Sequence, residues 1–172
     1  TSVQESSANN VIPSLTSGGA LSVQVSTPAL HGVVTVSGMN FIYTPNANYS
    51  GPDSFSYTAQ NTGGTSAPAL VSITVTPIPP TVNTVSVNLP ANSINNIIPA
   101  NIVGTATTIS LVSTPLHGSA SVSGLNIIYT PVAGYIGSDT FLYKASNIAG
   151  DSAPASVSLY VNGTPPVANP VS

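Results

Sequence analysis

Three pairs of side chains that could take part in acid–base, metal or ligand chemistry recur in this sequence 86 residues apart. The pairs are His31 with His117, Asp53 with Asp139, and Tyr49 with Tyr135. A catalytic histidine needs a nucleophile or an orienting carboxylate beside it, and a calcium ion needs roughly six to eight oxygen ligands. Each copy offers only one histidine and one aspartate from this set. We therefore predict no catalytic residue, no metal ligand and no cofactor-binding residue in this chain.

Each of these pairs also has a structural interpretation. Both histidines precede a glycine at the start of a predicted strand, so their rings are expected to pack over the end of the fold. The aspartates stand just before a Phe-x-Tyr strand, where a carboxylate can accept backbone N–H bonds and hold a loop. The tyrosines lie in the same loop and could fasten it through their hydroxyls, as a tyrosine corner does. The alternative for the tyrosines is a platform for a sugar ring, multiplied by the repeat.

Lys144 is the single cation of the chain. A lysine in a surface fibre could form a covalent cross-link with an asparagine, but that reaction needs a buried lysine with an acid nearby. Lys144 falls on the outward side of its predicted strand, and its counterpart in the first copy is Thr58. We therefore interpret Lys144 as a solvated charge.

The composition excludes several classes of partner. Charged residues make up 3% of the 172 residues and the formal net charge is −3, whereas about 25% of residues are charged in ordinary soluble domains. Binding to nucleic acid or to an anionic membrane surface requires clustered lysine and arginine, which are absent. No apolar run approaches the roughly 18 residues of a membrane helix, so we predict no membrane insertion. Because there is no cysteine, disulfides, zinc–thiolate sites and thiol catalysis are excluded.

The chemical pairs belong to an internal repeat that covers the whole chain. Residues 1–86 align on residues 87–172 without gaps, and 39 of the 86 aligned pairs are identical. The two repeats do not coincide with two complete modules, because the sequence of the linker at residues 76–86 recurs at residues 162–172, at the end of the given chain. Such a cut suits an excerpt of a longer array, and equally a subunit that lends its tail to the next one.

The positions of the two linker sequences determine the predicted domain boundaries. We predict a first module at residues 1–77, whose opening strand is missing or donated by another chain. The second module is predicted at residues 78–162. Residues 163–172 are predicted to be a linker and the opening strand of a following module.

Both copies alternate apolar and polar residues with a period of two, as strands with one buried face do. In the first copy, Phe55, Tyr57 and Ala59 fall on one face, and hydroxyl residues fall on the other. The strands predicted for the second copy are Val82–Leu89, Asn95–Ile98, Thr107–Ser113, Ser119–Val122, Asn126–Thr130, Thr140–Ser146 and Ala153–Asn162. The predicted fold is therefore all-β, with two tandem immunoglobulin-like (cadherin-like) sandwiches of about seven strands each.

The order of motifs resembles a known family. Each copy reads His-Gly, a hairpin, Y-T-P, Y-x-G-x-D-x-F-x-Y, N-x-x-G-x-S and V-x-x-x-V. This order resembles the bacterial cadherin-like or immunoglobulin-like tandem repeats of large surface adhesins. The resemblance implies a sandwich fold and spacer or adhesive work at the cell surface or outside the cell. Many cadherin-like arrays hold calcium at acidic joints, but the joint at residues 75–87 has no acid, so proline would have to stiffen it instead.

From these observations we predict a structural spacer or stalk segment, and not an enzyme, in an extracellular repetitive surface protein or fibre related to adhesins. Its expected partners are identical modules or subunits placed end to end, with lateral self-association as a further option. One alternative is a filament subunit that polymerises head to tail by donor-strand complementation, since unpaired sheet edges invite a strand. Another alternative is a carbohydrate- or ligand-binding accessory module of an extracellular enzyme.

Overall fold

The computed structural model describes residues 1–163, which form strands, turns and loops without a helix. The chain divides into two compact units, Thr1–Ile78 and Pro79–Ser172, and each has its own hydrophobic core. Within the described residues no helix could cross a membrane. The predicted linker and opening strand at residues 163–172 lie outside the described part, apart from Gly163. The strands of both units confirm the predicted all-β fold of two tandem sandwiches.

The first unit consists of eight strands in two sheets. The larger sheet has the order β1-β8-β6-β3, with β7 paired to β6, and the smaller sheet has the order β2-β5-β4. The strands are β1 (Ser2–Gln4), β2 (Asn10–Pro13), β3 (Ser22–Thr27), β4 (Gly32–Ser37), β5 (Asn40–Pro45), β6 (Gly51–Asn61), β7 (Gly64–Thr65) and β8 (Ala69–Thr76).

The second unit repeats this arrangement and adds a short sheet. Its larger sheet has the order β10-β18-β16-β13 with β17 on β16, its smaller sheet has the order β11-β15-β14, and β9 pairs with β12. The strands are β9 (Thr81–Val82), β10 (Val85–Pro90), β11 (Asn96–Pro99), β12 (Ile102–Val103), β13 (Thr108–Leu111), β14 (Gly118–Ser123), β15 (Asn126–Pro131), β16 (Gly137–Asn147), β17 (Gly150–Asp151) and β18 (Ala155–Asn162).

The core of each unit follows from the period-two pattern. The side chains of Phe55 and Tyr57 in β6 are buried, and they belong to the same core cluster as Ile73 and Val75 of the neighbouring strand β8. The smaller sheet contributes Phe41, whose ring meets that of Phe55 edge-on with 5.0 Å between centroids. Complete burial of one such side chain stabilises the fold by about 2 kcal/mol. A sandwich built this way needs no disulfide to hold its two sheets together.

Each of the seven strands predicted for the second copy corresponds to a strand of the structure. The first of them, predicted at Val82–Leu89, is divided into β9 and β10 because the chain changes sheets there. The structure also contains the two-residue strands β12 and β17. Two residues are too few to produce a periodic signal in the sequence.

The first strand of the larger sheet has different lengths in the two units. β1 pairs in parallel with β8 from Ser2 opposite Thr74, over three residues. In the second unit, β10 pairs with β18 over six residues, starting with Val85 opposite Val157. Thr1 corresponds in the repeat to Val87, so β1 begins late in the register.

Candidate functional site

The aspartate, histidine and tyrosine pairs found in the sequence come together around one loop in each unit. In the first unit, Asp53 at the start of β6 lies against the Leu30–His31 turn that leads into β4. Tyr43 reaches the same carboxylate from β5. We call Asp53, Tyr43 and the backbone of Leu30 and His31, with their equivalents in the second unit, the aspartate clamp.

The buried carboxylate of Asp53 accepts four hydrogen bonds, two on each oxygen. Oδ1 accepts from the backbone N–H of Leu30 at 3.2 Å and from that of Ser54 at 2.8 Å. Oδ2 accepts from the backbone N–H of His31 at 3.1 Å and from the Tyr43 hydroxyl at 2.7 Å. An ionised carboxylate has about four lone-pair positions. All of them are occupied, so Asp53 has no acceptor position left for a metal ion or for an imidazole ring.

The second unit has the same clamp with the same division between the two oxygens. Asp139 Oδ1 accepts from the N–H of Leu116 at 3.1 Å and from that of Thr140 at 2.9 Å. Its Oδ2 accepts from the N–H of His117 at 2.9 Å and from the Tyr129 hydroxyl at 2.8 Å. The prediction that these aspartates accept backbone N–H bonds and fix a loop is confirmed.

In the first unit the clamp holds the carboxylate of Asp53 inside the protein in its charged form. Burial alone would raise the pKa of Asp53, but the hydrogen bonds from Tyr43 and from three backbone N–H groups outweigh it and lower the pKa below its ordinary value. Burial and the bond to Asp53 raise the pKa of Tyr43 well above its ordinary value. The pKa of Tyr129 is raised for the same reasons beside Asp139. At neutral pH the ionised carboxylate of Asp53 is therefore paired with the protonated phenol of Tyr43.

The tyrosine of the clamp also explains why a glycine follows each histidine. A Cβ atom added at Gly118 would lie 2.5 Å from Cε2 and Cζ of the Tyr129 ring, far inside van der Waals contact. A Cβ atom added at Gly32 would likewise overlap the ring of Tyr43. Only a residue without a side chain lets the turn approach the ring, so the His-Gly motif belongs to the clamp.

The histidine rings stack on the loop tyrosines and do not contact the carboxylates. The ring centroids of His31 and Tyr49 lie 4.1 Å apart at 6°, and those of His117 and Tyr135 lie 4.2 Å apart at 8°. Each of these tyrosine hydroxyls donates to a backbone carbonyl three residues further along, at 2.5 and 2.6 Å respectively. The fastening role predicted for the tyrosines and the packing role predicted for the histidines are thereby confirmed.

The geometry supports a structural clamp. The aspartate bonds the backbone of the histidine and leaves the imidazole without the orienting carboxylate that a catalytic histidine uses. Among residues 1–163, no three histidine, aspartate or glutamate side chains come together in a way that could hold a metal ion. In each unit the loop exposes the leucine that precedes the histidine. Leu30 is 83% exposed and Leu116 is 85% exposed.

Lys144 is partly exposed, in agreement with its interpretation as a solvated charge, and it also forms an ion pair that was not predicted. Its Nζ contacts Oδ2 of Asp151 across the β16–β17 hairpin, and the Ser146 hydroxyl donates to the other carboxylate oxygen at 2.6 Å. The hydrogen bond from Lys144 lowers the pKa of the exposed Asp151 carboxyl. Because both side chains are partly exposed, Lys144 lacks the buried setting that a lysine–asparagine cross-link needs.

Tyr43 and Tyr129 were not predicted from the sequence as members of the clamp. A signal was present, because a tyrosine stands in the Y-T-P motif of both copies, on the inward side of its strand. A buried tyrosine hydroxyl needs a hydrogen-bond partner, and a carboxylate ten residues further along in each copy was the available acceptor.

Comparison with known proteins places the two units in one family. A family model described as a bacterial Ig domain matches residues 1–74 and again residues 76–160. No curated protein sequence matches the chain. These two matches cover nearly all of the described residues, with one match in each unit.

The chain is also similar to several solved structures. The human mucin-like protocadherin EC1-2 is 14% identical over 95% of each chain, with a TM-score of 0.46. Extracellular cadherin domains 3–6 of protocadherin gamma B2 are 10% identical over 94% of this chain and 45% of that one, with a TM-score of 0.49. An endo-fucoidan hydrolase from glycoside hydrolase family 107 is 15% identical over 95% of this chain, with a TM-score of 0.42. This chain spans 28% of that hydrolase.

The repeated sequence, the two sandwiches with their own cores and the family match in each unit agree. The chain therefore belongs to the bacterial Ig domain family and contains two copies of the domain in tandem.

Proposed function

We propose that this chain is a non-catalytic spacer or stalk segment of an extracellular repetitive surface protein or fibre of the adhesin type. The observation that carries the proposal is that the same clamp and the same core are built twice, each from the residues of one unit alone. A unit that buries its own core can be repeated along a chain without new contacts. Each repeated unit then makes the chain longer and adds no catalytic site.

The joint between the units fits this role. Between the end of β8 and the start of β9, residues 77–80 include Pro77, Pro79 and Pro80 and no charged residue. Proline fixes its own φ and holds a segment extended, so the joint limits bending without a calcium ion. Partners of this segment are then the identical modules before and after it, end to end.

The spacer function is tested by measuring how length grows with the number of domains. Small-angle X-ray scattering is recorded for the chain and for a tandem fusion of two chains. We expect the maximum dimension to grow in proportion to the number of domains. The control variant carries Pro77→Gly and Pro79→Gly, which should broaden the distance distribution while the circular dichroism spectrum stays unchanged. A fusion no longer than the single chain would contradict the proposal.

A second candidate is a carbohydrate-binding accessory module. It is favoured by the stacked His–Tyr rings and the exposed Leu30 and Leu116, which recur in both units as a flat, partly apolar surface. A glycan array probed with the chain tests it. Binding that disappears in the double variant His31→Ala and His117→Ala would support this candidate, whereas a flat response from the unchanged chain would count against it.

A further inference from the structure

A groove lies on the outer face of the larger sheet in the second unit, beside the aspartate clamp. It has a volume of about 370 Å³, which is at the lower end of the range for small-molecule sites. Its lining includes Leu116, His117, Ser138, Thr140 and Ser158. We call this surface the hydroxyl groove. It is large enough for a small molecule.

The first unit has a groove at the same place. Its volume is about 380 Å³, and its lining includes Leu30, His31, Ser54 and Ser72, which are equivalent to four of the residues above. The clamp holds the backbone of the Leu-His turn in both units, and this turn forms one wall of each groove. The groove therefore follows from the fold of the unit.

The floor of the hydroxyl groove consists of hydroxyl side chains on paired strands. Thr140 of β16 lies opposite Ser158 of β18, and both are exposed. Thr140 donates to the carbonyl of Val157 at 3.0 Å and keeps its oxygen as an acceptor. Because β18 is paired with β10 on one side and with β16 on the other, a peptide cannot add to it as a further strand. A ligand on this floor must pair with the side-chain hydroxyls.

An exposed aromatic ring lies next to this floor. Tyr160 is 48% exposed and stands on the same face of β18 as Ser158. It is opposite Asn88 of β10 on one side and Ser138 of β16 on the other. A tyrosine ring can stack on the apolar face of a sugar, and asparagine and serine supply donors and acceptors for hydroxyl groups. The row Asn88–Tyr160–Ser138 therefore extends the groove by an aromatic platform with a polar group on each side.

The charges near the groove separate neutral ligands from acidic ones. The single cation of the chain, Lys144, contacts Asp151 at the β16–β17 hairpin. The carboxylate in the lining is that of Asp139, and the clamp occupies its four acceptor positions. A sulfated or carboxylated sugar would find no cation in the groove, so its charge would lose water without gaining a partner. The groove therefore favours a ligand whose polar groups are hydroxyls.

We propose that the hydroxyl groove of the second unit binds an uncharged sugar, whose ring stacks on Tyr160. The hydroxyls of the sugar pair with Asn88, Ser138 and Ser158, and the exposed side chain of Leu116 covers the apolar part of the ligand. The proposal rests on the carbohydrate-binding candidate above, and it specifies the site and the class of sugar.

The first unit provides a comparison within the same chain. Thr74 stands at the position of Tyr160, and Pro52 stands at that of Ser138. The first unit therefore has the groove without the aromatic platform. Its affinity for the same sugar should be at least about fivefold lower.

NMR titration of the full isotope-labelled chain tests the proposal, because both units are observed in one sample. The probes are hexasaccharides of glucose, of mannose and of galactose, with a hexasaccharide of galacturonic acid as the acidic comparison. At least one neutral sugar should shift the amide signals of Thr140 and Ser158 at lower concentration than those of Ser54 and Ser72. The acidic sugar should shift neither pair.

Three variants test the role of the ring. Tyr160→Ala should weaken binding in the second unit about tenfold, whereas Tyr160→Phe keeps the ring and should keep most of the affinity. Thr74→Tyr adds a ring to the first unit and should strengthen binding there at least about threefold. Ser121→Ala, at an exposed serine of β14 in the smaller sheet, is the control and should change neither affinity. Circular dichroism should show unchanged folding, because all these positions are exposed.

Several outcomes would overturn the proposal. One is that no neutral hexasaccharide shifts the groove amides at about 50 mM, a concentration that fills a site of millimolar Kd. Another is equal binding of the acidic sugar, and a third is unchanged binding in Tyr160→Ala. Binding that survives Tyr160→Ala but is lost in the double variant His31→Ala and His117→Ala would retain the carbohydrate candidate and refute this site. The spacer function is independent of all these results, since it is tested by length.

Discussion

Replacing Asp53 by asparagine is the sharpest perturbation of the clamp, because it changes one atom of the acceptor and keeps the shape of the side chain. The asparagine oxygen can still accept from Leu30 and Ser54 if it takes the place of Oδ1. The amide NH2 group then takes the place of Oδ2 and faces two donors, the His31 N–H and the Tyr43 hydroxyl. The hydroxyl can turn towards the His31 carbonyl, 3.4 Å away, but the His31 N–H loses its acceptor.

The expected cost follows from these contacts. An unsatisfied buried donor costs about 1–3 kcal/mol, and the hydroxyl loses a charge-assisted bond worth about 1.5–3 kcal/mol while regaining part of it at the carbonyl. We therefore expect Asp53→Asn to lower the free energy of unfolding of the first unit by about 3 kcal/mol. For a unit of this size that corresponds to a fall in Tm of roughly 15 °C.

Differential scanning calorimetry measures the change in Tm, and amide hydrogen exchange locates it. Exchange at Leu30 and His31 should accelerate in Asp53→Asn, while exchange at Leu116 and His117 stays slow. Asp139→Asn is the matched control and should reverse this pattern. A loss below about 1 kcal/mol, or equal acceleration in both units, would refute the argument that the carboxylate organises the loop of its own unit.

Four further predictions concern pH, packing, the ion pair and metals. Because the pKa of Asp53 is lowered by folding, its stabilising contribution is present above the ordinary carboxyl pKa of about 3.9 and is lost as the pH falls through the folded value. Urea titrations should therefore show constant stability near neutral pH and a decline in acid that Asp53→Asn reduces. Gly118→Ala forces a Cβ against Tyr129 and should cost about 3 kcal/mol, whereas Gly124→Ala, at φ 59° with no atom within 4 Å, should cost about 1 kcal/mol in the same titration. Asp151→Asn should leave Tm unchanged, because its bond to Lys144 is exposed; a clear loss would mean that the pair is structural. A chelator should also leave Tm unchanged in calorimetry, and a fall of several degrees would reveal a bound divalent cation.

The strands could be predicted from the sequence because their alternation is regular. Phe55 and Tyr57 alternate with hydroxyl residues in a half-buried strand, and this pattern depends only on neighbours along the chain. The repeat strengthened each prediction, since every element could be compared with its copy. The fold class, the seven strands of the second copy and the loop roles of Asp53 and Tyr49 were therefore accessible.

The partners across the fold could not be predicted in the same way. Tyr43 and Asp53 meet because β5 and β6 belong to different sheets that face each other, and a period of two gives no information on which residues oppose each other between sheets. The Lys144–Asp151 pair depends on the register of a two-residue strand.

The parallel pairing of the first and last strands has a mechanical consequence. When the two ends of a unit are pulled apart, β10 and β18 slide past each other, so all hydrogen bonds between them bear the load together. Rupture then requires the six paired positions of β10 and β18 to separate together, so the second unit should withstand a higher pulling force than a unit whose hydrogen bonds open one after another.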